Sequence, residues 1–178
     1  AAAWPIAASC VPRSVEPPAV RELVRVRTAA EMHAAVMERA DRMDLIFMAA
    51  AVADYAPAEP APHKVPKGDE TLTVVLKKTA DILADLGRRR LASGRGPLLV
   101  GFAAETEDVV ARASAKRLAK HVDFIVANDV SRRDAGFAVD TNEVTIVGPE
   151  GAETLPLQSK GRVAAAILDR IEVRLKSL

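Results

Sequence analysis

Phe47-Met48-Ala49-Ala50-Ala51-Val52-Ala53-Asp54-Tyr55 is an apolar strand that runs into small residues and then releases an acid. Lys64-Val65-Pro66-Lys67 follows it inside a proline-rich loop. Small residues let a ligand come close to backbone amides. An acid just past them can hold a ribose hydroxyl or a metal, and lysines nearby can meet phosphate. A parallel α/β domain presents a nucleotide in this way, at the carboxyl ends of its strands.

Working outward, strands and helices alternate. Leu23-Val24-Arg25-Val26-Arg27 has the period of a half-buried strand, and Thr28 opens a capping box with Glu31 for a helix from Ala29 to about Arg42. Asp44 to Ala51 is almost continuously apolar, as is a strand covered on both faces. Pro57, Pro60, Pro62 and Pro66 make Ala56 to Gly68 a loop, and Thr71 to Lys77 is rich in β-formers. Thr79 is positioned to cap a helix from Ala80 to about Ala92, and Thr106 one from Glu107 to His121. Pro97 to Ala103 and Val122 to Ala127 read as buried strands, the second ending at Asn128-Asp129. Glu143 to Val147 and Glu153 to Leu157 flank Gly148-Pro149-Glu150-Gly151 as a hairpin. Val163, Ile167, Ile171 and Leu175 mark the buried face of a final helix from Ser159 to Leu178.

Parallel neighbours need crossover helices, so the segments starting at Leu23, Asp44, Pro97 and Val122 are assigned to one open sheet. Thr71 to Lys77 is the exception, an antiparallel excursion whose edge is free to pair with another chain. The expected architecture is α/β: a Rossmann-like three-layer fold with a mainly parallel sheet, a small antiparallel β excursion and a C-terminal hairpin-helix. Trp4 to Ser9 has at most the makings of a strand's tail. No G-x-G-x-x-G occurs in the 178 residues, so the chain reads as one domain lacking its first β-α unit.

Composition narrows the function classes. Lys+Arg is 25 against 24 Asp+Glu, so no global field draws nucleic acid or an acidic membrane. Cys10 is the one cysteine, which excludes an intrachain disulfide and points to a reducing, cytoplasmic setting. No apolar run reaches membrane-spanning length. His33, His63 and His121 are too scattered to suggest a metal triad, and no side-chain metal site is assigned.

Ala50-Ala51-Val52-Ala53-Asp54-Tyr55, Lys64-Val65-Pro66-Lys67, Gly101-Phe102-Ala103-Ala104-Glu105-Thr106, Lys116 with Lys120, and Ala127-Asn128-Asp129-Val130 occur in that order. Together they resemble the bacterial phosphopantothenoylcysteine synthetase family, over roughly residues 14 to 175. The resemblance implies a ligase of coenzyme A biosynthesis that joins 4′-phosphopantothenate to L-cysteine. It consumes CTP through an acyl-cytidylate, with magnesium assisting. It also implies a homodimer and, in many bacteria, fusion to a flavin-dependent decarboxylase domain. Lys64 takes the catalytic role in acyl-cytidylate formation. Ala50, Asp54, Lys64, Ala80, Asp81, Ile82, Leu83, Phe102, Lys116 and Lys120 take CTP-binding positions, and Asn128 a substrate-binding one. Two departures stand out. Pro66 replaces a second lysine of the family's K-x-K-K motif, and no S-N-H-S-S-G-K-M-G motif is present. A non-catalytic nucleotide-binding or dimerisation fragment, or a nicotinamide-dependent Rossmann oxidoreductase, are the alternatives.

Residue by residue, plainer readings stand beside these. Asp54 fits a turn, Phe102 fits a core, and Lys116 and Lys120 fit a solvated helix face. The functional case rests on their joint arrangement, with most of the candidates just beyond the carboxyl end of an expected parallel strand.

Overall fold

The computed structural model describes residues 20–61, 63, 71–130 and 139–177, and the backbone of 6–9. In chain order its elements are β1 (Ile6–Ser9), β2 (Glu22–Arg25), α1 (Ala29–Arg39), a 3-10 turn (Ala40–Arg42), β3 (Leu45–Met48), β4 (Tyr55–Pro57), β5 (Leu76–Lys78), α2 (Ile82–Ser93), β6 (Leu98–Glu105), α3 (Val109–Ala119), β7 (Phe124–Asp129), β8 (Thr141–Gly148), β9 (Gly151–Ser159) and α4 (Lys160–Leu175). They fall into two compact units. One takes in residues up to Val36 together with Ala51–Asp81, the other Met37–Ala50 with Ile82–Leu178.

The second unit holds a five-stranded sheet in the order β3-β6-β7-β8-β9. The β3, β6 and β7 strands are parallel, and the hairpin of β8 and β9 continues the sheet antiparallel to β7. Strand alternation sorts the side chains into two layers. Leu98, Val100, Val126, Val144, Ile146 and Leu155 pack with Val163, Ile167 and Ile171 of α4. Each of these three helical residues, fully buried, contributes roughly 1.5–3 kcal/mol. Gly101 points the other way. A Cβ on it would lie 2.4 Å from a Leu83 methyl of α2 and 2.8 Å from one of Ile125, so α2 can sit close only because the side chain is missing. The α/β, Rossmann-like class expected from the sequence is the one observed, with helices on both faces of a largely parallel sheet.

Val163, Ile167 and Ile171 of the predicted α4 stripe are buried as expected and Leu175 is half-buried, and Ser159 caps the helix by accepting from the Arg162 N–H. The Thr28–Glu31 pair also caps α1. Glu31 N–H donates to Thr28 Oγ1 at 3.1 Å, and Arg27 N–H to Glu31 Oε2 at 2.7 Å.

Other boundaries differ, each for a local reason. Thr79 does not cap a helix at Ala80. Its hydroxyl donates to the Ala53 carbonyl at 2.6 Å and its N–H to the Asp54 carbonyl at 2.9 Å, and α2 starts at Ile82. Nor does Thr106 start α3. The helix begins at Val109 behind Asp108, which takes the left-handed conformation (φ 46°) and makes no side-chain cap. The β2 strand lies outside the five-stranded sheet and pairs in parallel with β1 in the first unit. Alternation identifies a half-buried strand but carries no information about its neighbour.

The antiparallel excursion exists, as β4 paired with β5. Its second strand spans Leu76–Lys78 rather than Thr71–Lys77, extended by a 2.9 Å bond from Ala58 N–H to the Val75 carbonyl. The β-formers at Thr71–Val74 find no partner strand among the described residues, and β-propensity is expressed only against a neighbour. Among the described residues no helix is long and apolar enough to cross a membrane.

Candidate functional site at the carboxyl ends of the strands

In the second unit β3 stops at Met48, opposite Gly101. The β6 strand continues to Glu105, with β7 alone beside it. Among the described residues, no strand therefore pairs with the end of β6 on that edge. Phe102 shares the parity of Leu98 and Val100 and lies on the α4 side of the sheet. It is 40% exposed because the strand that would have flanked it has ended. Ala50 is exposed in the loop that follows β3.

Glu105 has the opposite parity and faces α3. Its side chain is 4% exposed, and its Oε1 lies 2.5 Å from Nζ of Lys116. The carbonyl of the same residue accepts from Val130 N–H at 2.9 Å, which ties the ends of β6 and β7 together. Lys116 reaches the strand end because helical side chains tilt toward their own N-terminus, and α3 descends from that end of the sheet.

Lys116 and Lys120 share one stripe of α3, as their spacing requires, but their settings differ. Lys116 is engaged by Glu105. Lys120 caps the helix's last turn, half-buried, with its carbonyl against Gly87 of α2. Ile82 and Leu83 are 3% and 8% exposed, so their side chains belong to the core. What they can offer a ligand is the backbone N–H groups at the start of α2. Asn128 lies on β7 between Ala104 and Val144, on the Phe102 side of the sheet. Its Oδ1 is buried with no hydrogen-bond partner among the described residues.

The first unit carries Asp54, Ala80 and Asp81. The two bonds from Thr79 to residues 53 and 54 hold the acid's loop beside the segment containing Ala80, and Asp54 itself is exposed. Lys64 lies outside the described residues, as does Lys67. The described residues contain no group of three His, Cys, Asp or Glu side chains able to hold a metal.

A cavity among the described residues lies elsewhere. A space of about 510 Å³ lies between Phe124, the β8–β9 turn and the last turns of α4. That is the amino-terminal end of β7, opposite Asn128. Arg170 and Glu153 pair at its rim at 2.6 Å. The guanidinium hydrogen-bonded to Glu153 holds that carboxyl below its ordinary value, against a smaller opposing effect of burial.

Sequence reasoning missed Glu105 as a site residue. The available signal was a carboxylate closing an otherwise apolar strand three residues after Phe102, eleven before Lys116.

Residues 6–175 match the family model described as the DNA/pantothenate metabolism flavoprotein C-terminal domain. The chain belongs to this family. The match takes in every motif residue named above. Among curated relatives, the coenzyme A biosynthesis bifunctional protein CoaBC of Bacillus subtilis is 43% identical over 157 residues, covering 88% of this chain and 38% of that protein. The CoaBC of Escherichia coli is 41% identical over 167 residues, covering 92% and 40%. The chain thus spans about two fifths of the length of the curated relatives it matches. Among solved structures, the C-terminal domain of a CoaBC protein superposes with a TM-score of 0.75 at 34% identity, covering 97% of this chain and 76% of that one. A structure of the family from Streptococcus pneumoniae, at 20% identity and a TM-score of 0.73, shares the fold.

Proposed function

We propose that this chain is a phosphopantothenate–cysteine ligase, acting within a bifunctional protein of coenzyme A biosynthesis whose other part is a flavin-dependent decarboxylase. The observation that carries the reading is its similarity to the C-terminal domain of CoaBC at 34% identity over 97% of the chain.

The reaction has a physical logic. Hydroxide is a poor leaving group, so a carboxylate must be activated before it can form an amide. The carboxylate of 4′-phosphopantothenate attacks the α-phosphorus of CTP, and the α–β phosphoanhydride bond breaks. Pyrophosphate departs and an acyl-cytidylate forms. The amine of L-cysteine then attacks the acyl carbon, loses a proton, and CMP leaves with its bonding electrons. Positioning and neutralisation of phosphate charge account for most of such catalysis.

Lys116 and Lys120 supply positive charge toward the triphosphate, and Phe102 offers an exposed aromatic face to the nucleotide. The backbone amides at Ile82 and Leu83 suit an anion, and Asp54 suits a ribose hydroxyl. Lys64 serves the first half-reaction, and Asn128 offers an acceptor to the substrate. Magnesium would enter on the triphosphate, coordinated chiefly by phosphate oxygens, and would neutralise charge there. A homodimer fits the first unit, where Leu72, Val74, Val75 and Leu76 are each more than half exposed around β5.

The test is calorimetric titration with CTP, ATP and NADPH in magnesium, followed by pyrophosphate release with 4′-phosphopantothenate. CTP binding with substrate-dependent pyrophosphate release supports the ligase. NADPH binding without CTP binding rejects it. A sedimentation experiment showing only monomer at micromolar concentration removes the dimer.

A further inference from the structure

Glu105 is a carboxylate placed where stability gives it little reason to be. Its side chain is 4% exposed, and the partner the structure gives it is Lys116, itself 45% exposed, at 2.5 Å. Burying a carboxylate against a half-solvated lysine recovers little of the desolvation penalty, and an apolar residue there would serve the fold as well or better. Ala103 and Ala104 just before it show that the strand end otherwise tolerates small apolar side chains. The pair also sits where β6 outruns β3, at the carboxyl end of the sheet. An ammonium has three donors. One is turned to Glu105, and the remainder belong to the exposed part of the side chain.

We propose that Glu105 is a positioning residue for nucleotide binding: it fixes the Lys116 ammonium at the end of β6 so that the remaining donors meet the phosphates of CTP. The inference rests on the CTP reading above and adds a residue to it. A lysine on a solvated helix loses much rotamer entropy when it grips an anion, whereas one already tethered loses less. Glu105 therefore strengthens phosphate binding although its own charge opposes it. Charge alone forecasts the reverse, because replacing Glu105 by glutamine removes a negative group beside the phosphates and should tighten CTP. The two explanations differ in sign.

The experiment is titration of the chain with CTP in magnesium at low and high salt, using wild type, Glu105→Gln, Lys116→Met and the double variant. Glu105→Gln is expected to weaken CTP about tenfold, the scale of one charge-assisted contact. Its salt dependence should flatten toward that of Lys116→Met, because each phosphate-facing charge steepens it. The double variant should bind no worse than Lys116→Met alone. Unchanged or tighter CTP binding by Glu105→Gln, with Lys116→Met still weakened, overturns the proposal and leaves the ligase reading intact. Losses that multiply in the double variant overturn it too. A wild-type chain that binds no CTP overturns both. If circular dichroism shows Glu105→Gln to be unfolded, Glu105→Asp replaces it. Its carboxylate keeps the charge but is withdrawn by one methylene, so charge alone forecasts no change: weaker CTP binding supports the tether and unchanged binding overturns it.

Discussion

Gly87→Ala sets two well-measured effects against each other. Gly87 lies in the middle of α2, where an alanine would ordinarily stabilise the helix by about 1 kcal/mol. Here a Cβ would fall 1.9 Å from the carbonyl oxygen of Lys120 and 3.2 Å from Cβ of His121. Non-bonded heavy atoms settle near 3.5 Å, so α2 and α3 must separate by more than about 1 Å. The obstacle is backbone at the capped end of a helix and cannot rotate aside. The guanidinium of Arg90, one turn further along α2, also donates to the neighbouring His121 carbonyl at 2.8 Å, and that bond would be stretched. Overpacking of this kind costs about 1–3 kcal/mol, and backbone obstruction belongs at the upper end. Set against the helical gain, the net loss is about 1–2 kcal/mol. For a chain of this size that lowers the melting temperature by about 2–8 °C. Scanning calorimetry on wild type and variant reads the shift directly. Gly161→Ala is the control: it stands in the first turn of α4 with open space around its would-be Cβ, and it should melt at or slightly above wild type. A Gly87→Ala protein as stable as wild type, alongside an unperturbed Gly161→Ala, would refute the claim that close approach at Lys120 governs how α2 meets α3.

Further outcomes follow from other contacts. Asp123 accepts from the Arg90 guanidinium and, at 2.8 Å, from Leu99 N–H, so Asp123→Ala should cost about 2 kcal/mol in urea unfolding and Asp123→Asn less. Both should leave CTP affinity unchanged, because Asp123 precedes β7 at the end of the sheet away from Asn128. The Glu153 carboxyl titrates below its usual 4.5 in the folded chain, so its stabilising effect is complete above that value and fades as the pH falls through the lowered one. Glu153→Gln should therefore lose that stabilisation at neutral pH, by less than about 1 kcal/mol for so exposed a pair, and match wild type at low pH, which flattens part of the acid limb of a stability–pH curve. Lys64→Ala should abolish pyrophosphate release with only modest loss of CTP affinity in calorimetry.

What the sequence disclosed depended on how local each interaction is. The apolar runs at Leu98–Val100 and Ile125–Ala127 announced buried strands, and Val163, Ile167 and Ile171 announced the face of α4, because periodicity is set by burial. Caps were less legible. Thr28 makes its local bond, but Thr79 gives its hydroxyl to Ala53, twenty-six residues away, and no local rule could choose between those outcomes. Partners of strands were hidden for the same reason, and β2 was assigned to a sheet it does not join. At the candidate site, Ala50, Phe102 and Asn128 were named by the family resemblance, while the strand pattern alone could only place them at or near strand ends. Glu105 was not, because its meaning depends on where α3 brings Lys116. Nor did the motifs disclose that Phe102 and Glu105 project from opposite faces of the same strand. A nucleotide that meets both Phe102 and the Lys116 ammonium held by Glu105 must lie across the end of β6 rather than along one side.

The two ends of these parallel strands also differ in what they do for stability, and the difference argues for where the chemistry lies. At the amino-terminal end Arg90 bonds to Asp123 and to the carbonyls of Pro97 and His121, and Asp123 closes on Leu99, so these two charged groups are paired. At the carboxyl end the same strands carry a 40% exposed phenylalanine, a buried amide oxygen lacking a partner among the described residues, and a carboxylate buried against a half-solvated lysine. Each feature is unfavourable for a fold considered alone. Among the described residues, Nε of Arg117 in the last turn of α3 is the other buried group lacking a partner, so the ends differ in the kind of group left over rather than in its presence. Under the proposed function these groups would meet an apolar face at Phe102, a hydrogen-bond donor at Asn128, and negative charge at Lys116. The nucleoside triphosphate and amide-bearing acid of the proposed reaction would supply all three, whereas an uncharged ligand would leave the Lys116 side unanswered.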